Sequence, residues 1–234
     1  MRKVELLQHM GSDLTVVNAA RVSFAKQSKW DGEDGFGDDL LSLRDAKLIN
    51  YLATHNHWTP FAHTALTFRI KAPIFVARQL AKHQVGLVWN EVSRRYVDDE
   101  PEFYTPDGWR KRAENVKQGS SEEEVVTHLG PLGFVTSRIT DRYERLTHHA
   151  HQLYYEMIEH GVAPEQARMV LPQSMMTEWW WTGSLAAFAR VAKLRLDSHT
   201  QRETQQIAQG ISDEASRFFP VAWAALMEKT DALT

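Results

Sequence analysis

The sequence predicts an α+β fold, a single helix-rich domain with a small, mostly antiparallel sheet. Three observations support this prediction. Apolar residues recur at helical spacing in several segments, one segment alternates apolar and polar residues, and no run of strand–helix–strand units is present. The length of 234 residues suits one large domain, so residues 1–234 are expected to fold as a unit.

The N-terminal third is predicted to contain two helices, a strand and the start of a third helix. Asp13 is expected to cap a short amphipathic helix that extends to Phe24. A second helix is expected to end at His55-Asn56-His57. From Thr64 to Lys71 apolar and polar residues alternate, which predicts a half-buried strand, and Pro73 marks the start of the next helix.

The chain up to residue 131 also contains two loop signals and one further helix signal. Asp31–Asp39, with five acids and three glycines, and Asp98–Asp107 are both expected to be surface loops. Ser121 and Glu124 have the spacing of a capping box, so a helix is expected to begin there. That helix would be interrupted at Gly130-Pro131.

The clearest helical pattern lies in the C-terminal half, where six apolar residues recur in steps of four and three before a stop at Gly161. Such a stripe is typical of a helix that packs on another helix, within a subunit or across an oligomer interface. Two further helices are expected at about Ser184–Arg195 and Ser198–Gln209. The stripe consists of Ile139, Tyr143, Leu146, Ala150, Leu153 and Met157.

Composition excludes several classes of chemistry. The sequence has no cysteine, which excludes disulfide frameworks, thiolate zinc sites, iron–sulfur clusters and cysteine nucleophiles. A formal net charge of −3 gives no indication of a nucleic-acid partner. The densest apolar run, Ala72–Ala77, is far shorter than the roughly 20 residues of a membrane helix, and no secretory leader is visible. We therefore expect a cytoplasmic protein, or one in the host cytoplasm if the source is a virus.

The eleven histidines raise the question of a metal site. The three histidines of segment 148–151 cannot all converge from one helix, because only the first and last share a face. The three histidines of segment 55–63 lie around a predicted turn, where they could hold a metal or make polar hydrogen bonds. The sequence contains no HExxH, Walker loop, GxGxxG or GxSxG motif.

Positive charge is concentrated in two segments. Residues 71–97 contain five basic side chains and one acid, and residues 182–202 contain four basic side chains and one acid. Such patches suit small anions such as phosphates or carboxylates, although a solvated helix face gives the same counts. The first segment also brings amides, a histidine and a hydroxyl together with its arginines. That combination can bind a nucleotide, with arginine on phosphate and amides on a base edge.

Several motifs, in order along the chain, resemble the flavin-dependent thymidylate synthases (ThyX). The family signature, Arg-His-Arg followed after seven residues by Ser, stands here as Lys82-His83-Gln84 followed after eight residues by Ser93. Two of the three leading residues differ from the signature and the segment is one residue longer, but Asn90-Glu91-Val92-Ser93-Arg94-Arg95-Tyr96 is intact. The other matching blocks are Ala19–Phe24, His55–His63, Ala72–Gln79, Ala167–Pro172 and Leu194–His199.

This resemblance implies a ThyX-like fold in which residues 1–234 form one flavin-dependent thymidylate synthase domain. It implies methylation of dUMP to dTMP, with 5,10-methylenetetrahydrofolate as carbon donor and NADPH as reductant acting through FAD. The expected assembly is a homotetramer whose sites are shared between subunits, with no nucleic-acid or membrane partner. The family uses no enzyme nucleophile on the pyrimidine, which agrees with a chain that lacks cysteine.

The resemblance also implies roles for particular residues. Arg195 is expected to be catalytic, facing the uracil and stabilising the charge that builds on N3 and its carbonyl. Ser93 is interpreted as a phosphate ligand, since no general base is evident beside it. The residues expected to bind dUMP are Gln79, Lys82, Glu91, Val92, Ser93, Arg94, Arg95, Arg168 and Arg195. Those expected to bind FAD are His57, Thr59, Lys82, His83, Gln84, Glu91, His199 and, as a substitute for the family's asparagine-rich contact, Arg190.

Two alternatives stay open at this point. A non-catalytic homologue would bind nucleotide and flavin but lose turnover through Lys82 and Gln84, because lysine is a point charge and glutamine carries none. The other is a histidine-cluster metal hydrolase. Within the resemblance, the histidines of segment 55–63 become parts of a nucleotide site, and no metal is expected. The eight tryptophans, including Trp179-Trp180-Trp181, are expected in the core or at an interface.

Overall fold

A four-stranded antiparallel sheet is the centre of the computed structural model, which describes residues 3–31, 40–97, 99–114, 119–125 and 139–228. The chain order of the strands is β1 (Lys3–Met10), β2 (Ala65–Pro73), β3 (Leu87–Glu91), β4 (Arg110–Arg112), β5 (Ser120–Glu124) and β6 (Met176–Ser184). The sheet has the order β1-β2-β6-β3, while β4 and β5 form a separate hairpin. Together with the helices, this sheet confirms the predicted α+β class.

The other regular elements of the described residues are helical. They are α1 (Asp13–Arg21), α2 (Leu43–Thr54), α3 (Thr59–Ala62), α4 (Ile74–Leu80), α5 (Ile139–Glu159), α6 (Pro164–Ala167), α7 (Leu185–Arg195), α8 (Arg202–Phe218) and α9 (Pro220–Met227), with 3₁₀ turns at Val22–Phe24 and Arg168–Val170. Across the described ranges, none of them combines the length and apolar character needed to cross a membrane.

The core lies between one face of the sheet and helix α7. Phe68 on β2 and Trp181 on β6 are fully buried, and their rings meet the ring of Phe188 on α7 edge-on, at centroid distances of 5.1 and 5.3 Å. Edge-to-face aromatic pairs add about 0.5–1.5 kcal/mol each beyond the burial of their surface. This packing fixes α7 on the sheet, and the last residue of α7 is Arg195.

The alternation in segment 64–71 correctly predicts strand β2. Leu66, Phe68 and Ile70 are fully buried, whereas Arg69 between them is exposed and pairs with Glu178 at 2.7 Å. The strand continues to Pro73, and α4 begins directly after it, as the position of that proline predicts. Helix α2 is also confirmed, with His55 as its C-terminal cap.

Three strands of the sheet were not predicted. In β6 the tryptophans alternate, with Trp179 and Trp181 buried and Trp180 half exposed, but three identical residues in a row conceal this period. The strands β3 and β1 are the other two, and the sequence analysis assigns no strand to either segment. A small sheet of this kind is assembled by long-range pairing, which local sequence does not encode.

The predicted cap at Asp13 is wrong. Ser12 is the N-cap of α1, which ends at Arg21, so exposed Phe24 lies outside the helix. The buried Asp13 carboxylate instead accepts hydrogen bonds from the backbone N–H groups of Val221 and Ala222, both at 2.9 Å, in the first turn of α9. Burial raises the pKa of Asp13, and these two hydrogen bonds oppose that effect.

The helix predicted to start at Ser121 is also wrong. Ser120–Glu124 is strand β5, which pairs with the basic strand β4, and Lys111 bridges to Glu123 at 2.7 Å. Opposite charges across the hairpin favour the strand over the capping box. The expected interruption at Gly130-Pro131 and most of the Asp31–Asp39 loop lie outside the described residues, as does Asp98.

The predicted helices of the C-terminal half are present, with some changes of boundary. Helix α5 contains the predicted stripe and is followed by Gly161 at φ +80°, a conformation that glycine adopts without strain. Helix α7 agrees with its prediction. Helix α8 starts at Arg202 rather than Ser198, because Thr200 N–H turns back to the carbonyl of Asp197, and it continues to Phe218.

Candidate active site

Arg195 and His83 form the centre of the candidate site. The end of α7 meets the turn that follows α4, so that Arg195 Nε donates to His83 Nε2 at 3.0 Å. A second guanidinium nitrogen, Nη2, lies 3.4 Å from the backbone carbonyl oxygen of Gln79. Both side chains are partly buried. The guanidinium is therefore held by two acceptors from one short segment.

The electrostatics of this pair favour a neutral histidine. Burial lowers the pKa of His83, and the positive charges of Arg195 and Arg190 lower it further. A neutral ring can accept at Nε2 only when its proton is on Nδ1, so the Arg195 contact selects that tautomer. Burial also lowers the pKa of Arg195, but a guanidinium stays protonated near neutral pH. The pair therefore carries one net positive charge.

Arg195 faces a polar cavity of about 470 Å³. No carboxylate is among the described residues that line it, and the arginine at its far wall, Arg110, is paired with buried Glu203 through two 2.9 Å contacts. This cavity suits an anionic or electron-rich ligand. Its lining residues are Gln79, Arg110, Gly119, Ser120, Arg195, His199, Thr200 and Gln201.

Gln79 reaches this cavity with its side-chain amide already oriented. Its Oε1 accepts a hydrogen bond from Thr204 Oγ1 at 3.1 Å, and its Nε2 donates to Gln201 Oε1. Thr204 lies in the first turn of α8, and Gln201 is the residue directly before that helix. Sequence reasoning named Gln79 but missed these two partners, because nothing local connects residues more than 120 positions apart.

A second cavity, of about 360 Å³, collects four other residues predicted to bind dUMP: Glu91, Val92, Arg94 and Arg168. Acidic residues outnumber basic ones in its lining, so within one chain it is not a cationic pocket. Glu91 is fixed there, since Thr177 Oγ1 donates to one of its oxygens at 2.7 Å and Trp89 Nε1 to the other at 3.2 Å.

The remaining predicted dUMP residues lie on turns. Arg95 N–H contacts Ser93 Oγ at 3.4 Å, and the Arg95 guanidinium stacks over the ring of Tyr96 at 5.1 Å, all in the turn after β3. Lys82 is exposed in the turn after α4. The structure thus places Gln79 and Arg195 together, but separates them from the residues of the second cavity.

A third and larger cavity, of about 730 Å³, is lined by two of the residues predicted to bind FAD, His57 and Thr59. Three exposed aromatic side chains on its walls, Phe24, Tyr51 and Trp58, were not predicted to be part of a site. Ser23 also lines it, and the only sequence signal for that residue is the Ala19–Phe24 block.

An adjoining cavity of about 250 Å³ shares His57 and Trp58 with the third cavity and has Arg190 and Lys193 on its wall. Neither cavity has a carboxylate among its described lining residues. Flat aromatic faces beside two cations match the needs of a flavin ring and a pyrophosphate. The residues present therefore fit a flavin dinucleotide.

Besides lining this cavity, Arg190 makes a hydrogen bond to the backbone of the chain. Its Nη2 donates to the carbonyl of Val85 at 2.7 Å, in the turn between His83 and β3. That turn contains Gly86 at φ +75°, where a side chain would be strained. Arg190 thus stabilises this turn as well as lining a cavity.

The other residues predicted to bind FAD are dispersed. Gln84 is exposed beside His83, Glu91 lies in the second cavity, and His199 lines the Arg195 cavity, where its Nδ1 contacts Asp197 at 2.9 Å. In one chain the predicted flavin residues therefore form a group around His57 and a group around His83, with Glu91 apart from both.

The histidines form no metal centre within the described ranges, where no three His, Asp or Glu side chains converge. The rings of His55 and His57 are 6.2 Å apart, and His55 Nδ1 contacts the carbonyl of Tyr51 at 2.8 Å. On α5, His151 lies 3.9 Å from Glu100. Among the histidines considered as metal ligands, His55, His57 and His151 make polar or ring contacts.

Comparison with known proteins gives concordant results. The family model described as thymidylate synthase complementing protein matches residues 5–221. Flavin-dependent thymidylate synthases from Thermus thermophilus and Thermosipho africanus are each 37% identical, covering 96% of this chain and 75% and 90% of those proteins. A crystal structure of a UMP/dUMP methylase, PolB from Streptomyces cacaoi bound with 5-Br dUMP, is 31% identical with a TM-score of 0.77, covering 96% of this chain and 94% of that one. The motifs, the fold and these matches agree, and the chain belongs to the thymidylate synthase complementing protein family.

Proposed function

We propose that this chain is a flavin-dependent thymidylate synthase that methylates dUMP to dTMP. In this proposal, 5,10-methylenetetrahydrofolate donates the carbon, NADPH is the reductant and FAD is the cofactor. The observation that carries the proposal is the partly buried Arg195, held by a neutral His83 at the edge of a cavity without a carboxylate in its described lining. Membership of the family supports it.

Arg195 has the chemistry that the reaction needs. C5 of the uracil becomes nucleophilic towards a one-carbon unit when the ring carries negative charge, which is spread over N3 and the adjacent carbonyl oxygens. A preorganised cation in a partly dehydrated cavity stabilises such charge more strongly than water does. Because His83 is neutral and accepts from Nε, it orients the guanidinium without cancelling its charge. No thiolate is required, in agreement with a sequence that has no cysteine.

His57, Thr59 and Arg190 would hold the FAD, with the aromatic walls of the third cavity beside its ring. When bound, FAD supplies the reducing equivalents that complete the methyl group. The protein's own contribution is to bind the ring and the phosphates and to keep Arg190 on the turn at Val85.

We also propose that residues 1–234 act as one domain, that the enzyme is a cytoplasmic homotetramer, and that its sites are shared between subunits. The separation of the predicted dUMP residues between two cavities supports sharing, because one chain does not bring them together. Three apolar residues on α5, Ile139, Leu146 and Leu153, are exposed in the single chain and would be covered by a neighbouring subunit.

The test is to incubate the purified protein with FAD, dUMP, methylenetetrahydrofolate and NADPH and to measure dTMP by chromatography. The proposal requires dTMP that depends on each component. Binding of dUMP and FAD without dTMP would favour the non-catalytic homologue. Elemental analysis that finds a stoichiometric metal would favour the hydrolase.

A second substrate, UMP, should be assayed in parallel. The specific observation behind it is the structural similarity to PolB, described as a UMP/dUMP methylase and also solved with 5-Br UMP, at a TM-score of 0.73 and 28% identity. Methylation of UMP alone would replace dUMP as the substrate while leaving the role of Arg195 unchanged.

A further inference from the structure

Thr204 is a buried threonine behind the candidate active site. Its side chain is fully buried in the first turn of α8, and its hydroxyl donates to Gln79 Oε1 at 3.1 Å. The backbone N–H of Thr204 is bonded to the carbonyl of Gln201 at 2.9 Å, which fixes the position of the residue. Neither the motifs nor the resemblance assigns a role to Thr204.

The hydrogen bonds around Gln79 select one orientation of its amide. Thr204 donates to Oε1, while Nε2 donates to Gln201 Oε1. With its two neighbours as they stand, a reversed amide would bring two carbonyl oxygens, those of Gln79 and Gln201, into contact without a hydrogen between them. Since a primary amide has two N–H groups and two lone pairs, the observed orientation leaves one of each for a ligand.

That orientation matters because Gln79 and Arg195 line the same cavity and are connected through the Gln79 carbonyl, 3.4 Å from Arg195 Nη2. A nucleotide bound in this cavity would contact an amide whose N–H and carbonyl groups already have fixed positions. Binding sites lose less free energy on complex formation when their polar groups are preorganised in this way.

We propose that Thr204 is a positioning residue for the pyrimidine nucleotide, acting through the Gln79 amide. This inference rests on the proposed function, in which Gln79 contacts dUMP. It assigns the recognition of the nucleotide to a three-residue unit, Thr204, Gln79 and Gln201, rather than to Gln79 alone.

The test compares Thr204→Val with Thr204→Ser. Valine keeps the shape but removes the hydroxyl, so we expect KM and the directly measured Kd for dUMP to rise about three- to tenfold, the equivalent of one neutral hydrogen bond. The value of kcat should change less, because Arg195 is untouched. Serine restores the donor, and we expect it to recover most of the lost affinity.

Thr64→Val is the matched control. Thr64 is equally buried and donates to the backbone carbonyl of Phe61 at 2.9 Å, remote from Gln79 in the hydrogen-bond network. It should cost similar stability in thermal unfolding but leave the Kd for dUMP unchanged. In a Gln79→Met background, Thr204→Val should have no further effect on that Kd.

The outcomes separate the inference from the proposed function. If the wild-type protein binds no dUMP or UMP, the proposed function fails. If the wild type binds dUMP and Thr204→Val binds it equally well, or if Thr204→Ser is as impaired as Thr204→Val, the positioning role is overturned.

Discussion

The orientation of the Arg195 side chain is determined by residues that are distant from it in the sequence. Its guanidinium is oriented by His83 and by the Gln79 carbonyl, which come from a segment more than 110 residues earlier in the chain. A lysine there would offer one flexible ammonium in place of a planar fork and could not keep both acceptors in the same geometry. The chemistry assigned to Arg195 therefore belongs to the contact between two segments.

Replacing Arg195 by alanine should abolish methylation while sparing flavin binding. We expect dTMP formation to fall at least about a hundredfold, the usual cost of removing a preorganised group that stabilises charge in the transition state. The Kd for FAD, followed by flavin absorbance, should change little because the cavity around His57 is intact. Equal losses of both would contradict the assigned role. Arg217→Ala, which removes an exposed arginine in the last turn of α8, is the control.

The His83–Arg195 contact predicts a dependence on pH. The pKa of His83 is lowered in the fold from its ordinary value of 6.5, so the folded protein favours the neutral ring. The stability from this effect is complete above pH 6.5 and is lost as the pH falls from there towards the lower folded value. Below that value the protonated ring can no longer accept from Arg195.

We therefore expect an acidic decline in kcat/KM that lies below pH 6.5. His83→Gln, which keeps a side-chain acceptor but cannot titrate, should reduce this decline and flatten the pH dependence of unfolding in the same range. An unchanged acidic limb in the variant would show that another group controls it.

At the level of elements, the hairpin β4–β5 is fastened to α8 by an ion pair between Arg110 and Glu203. Both side chains are largely buried, and Arg110 also donates to Ser120 Oγ at 2.7 Å. Burial acts to raise the pKa of Glu203, but its hydrogen bonds to backbone and to Arg110 outweigh burial, so the pKa is lowered. Of this pair, Arg110 lines the Arg195 cavity.

Glu203→Gln should destabilise the protein by about 2–4 kcal/mol, because it leaves the Arg110 charge buried without its partner. Glu123→Gln is the matched control: it breaks the exposed Lys111–Glu123 pair of the same hairpin and should cost much less stability, because exposed ion pairs contribute little. Urea unfolding of the two variants measures the difference. Equal, small costs would show that the hairpin is not held by this pair.

The elements also show what the sequence could and could not predict. Strand β2 was predictable because charged Arg69 interrupts its apolar positions, whereas in β6 the exposed position is itself a tryptophan. Ser121–Glu124 satisfies a helix motif, but three acids opposite the basic strand β4 form a hairpin instead. In the site, the resemblance named both His83 and Arg195, but their contact depends on how α7 packs on the sheet.

At the level of the whole molecule, the candidate active site is divided. Gln79 and Arg195 line one cavity, while Glu91, Arg94 and Arg168 line another. The acidic lining of the second cavity would repel a nucleotide phosphate in a single chain. A neighbouring subunit that contributes cations would change that balance.

The exposed apolar stripe of α5 gives a test of this assembly. The double change Leu146→Glu and Leu153→Glu should convert the proposed tetramer to smaller species in light scattering and remove most dTMP formation. Both side chains are exposed in the single chain, at 63% and 45%, so the fold itself should tolerate the change. His148→Glu, on the opposite face of α5 by helical geometry, should leave assembly intact. A wild-type protein that is already monomeric and active would contradict shared sites.

The most direct test of the central claim is the formation of dTMP from dUMP by the purified protein, with methylenetetrahydrofolate, FAD and NADPH as the only reductant. We expect dTMP to form, to require FAD, and to disappear in Arg195→Ala although that variant still binds flavin. A wild-type protein that binds FAD and dUMP, oxidises NADPH and yet forms no dTMP would contradict the account.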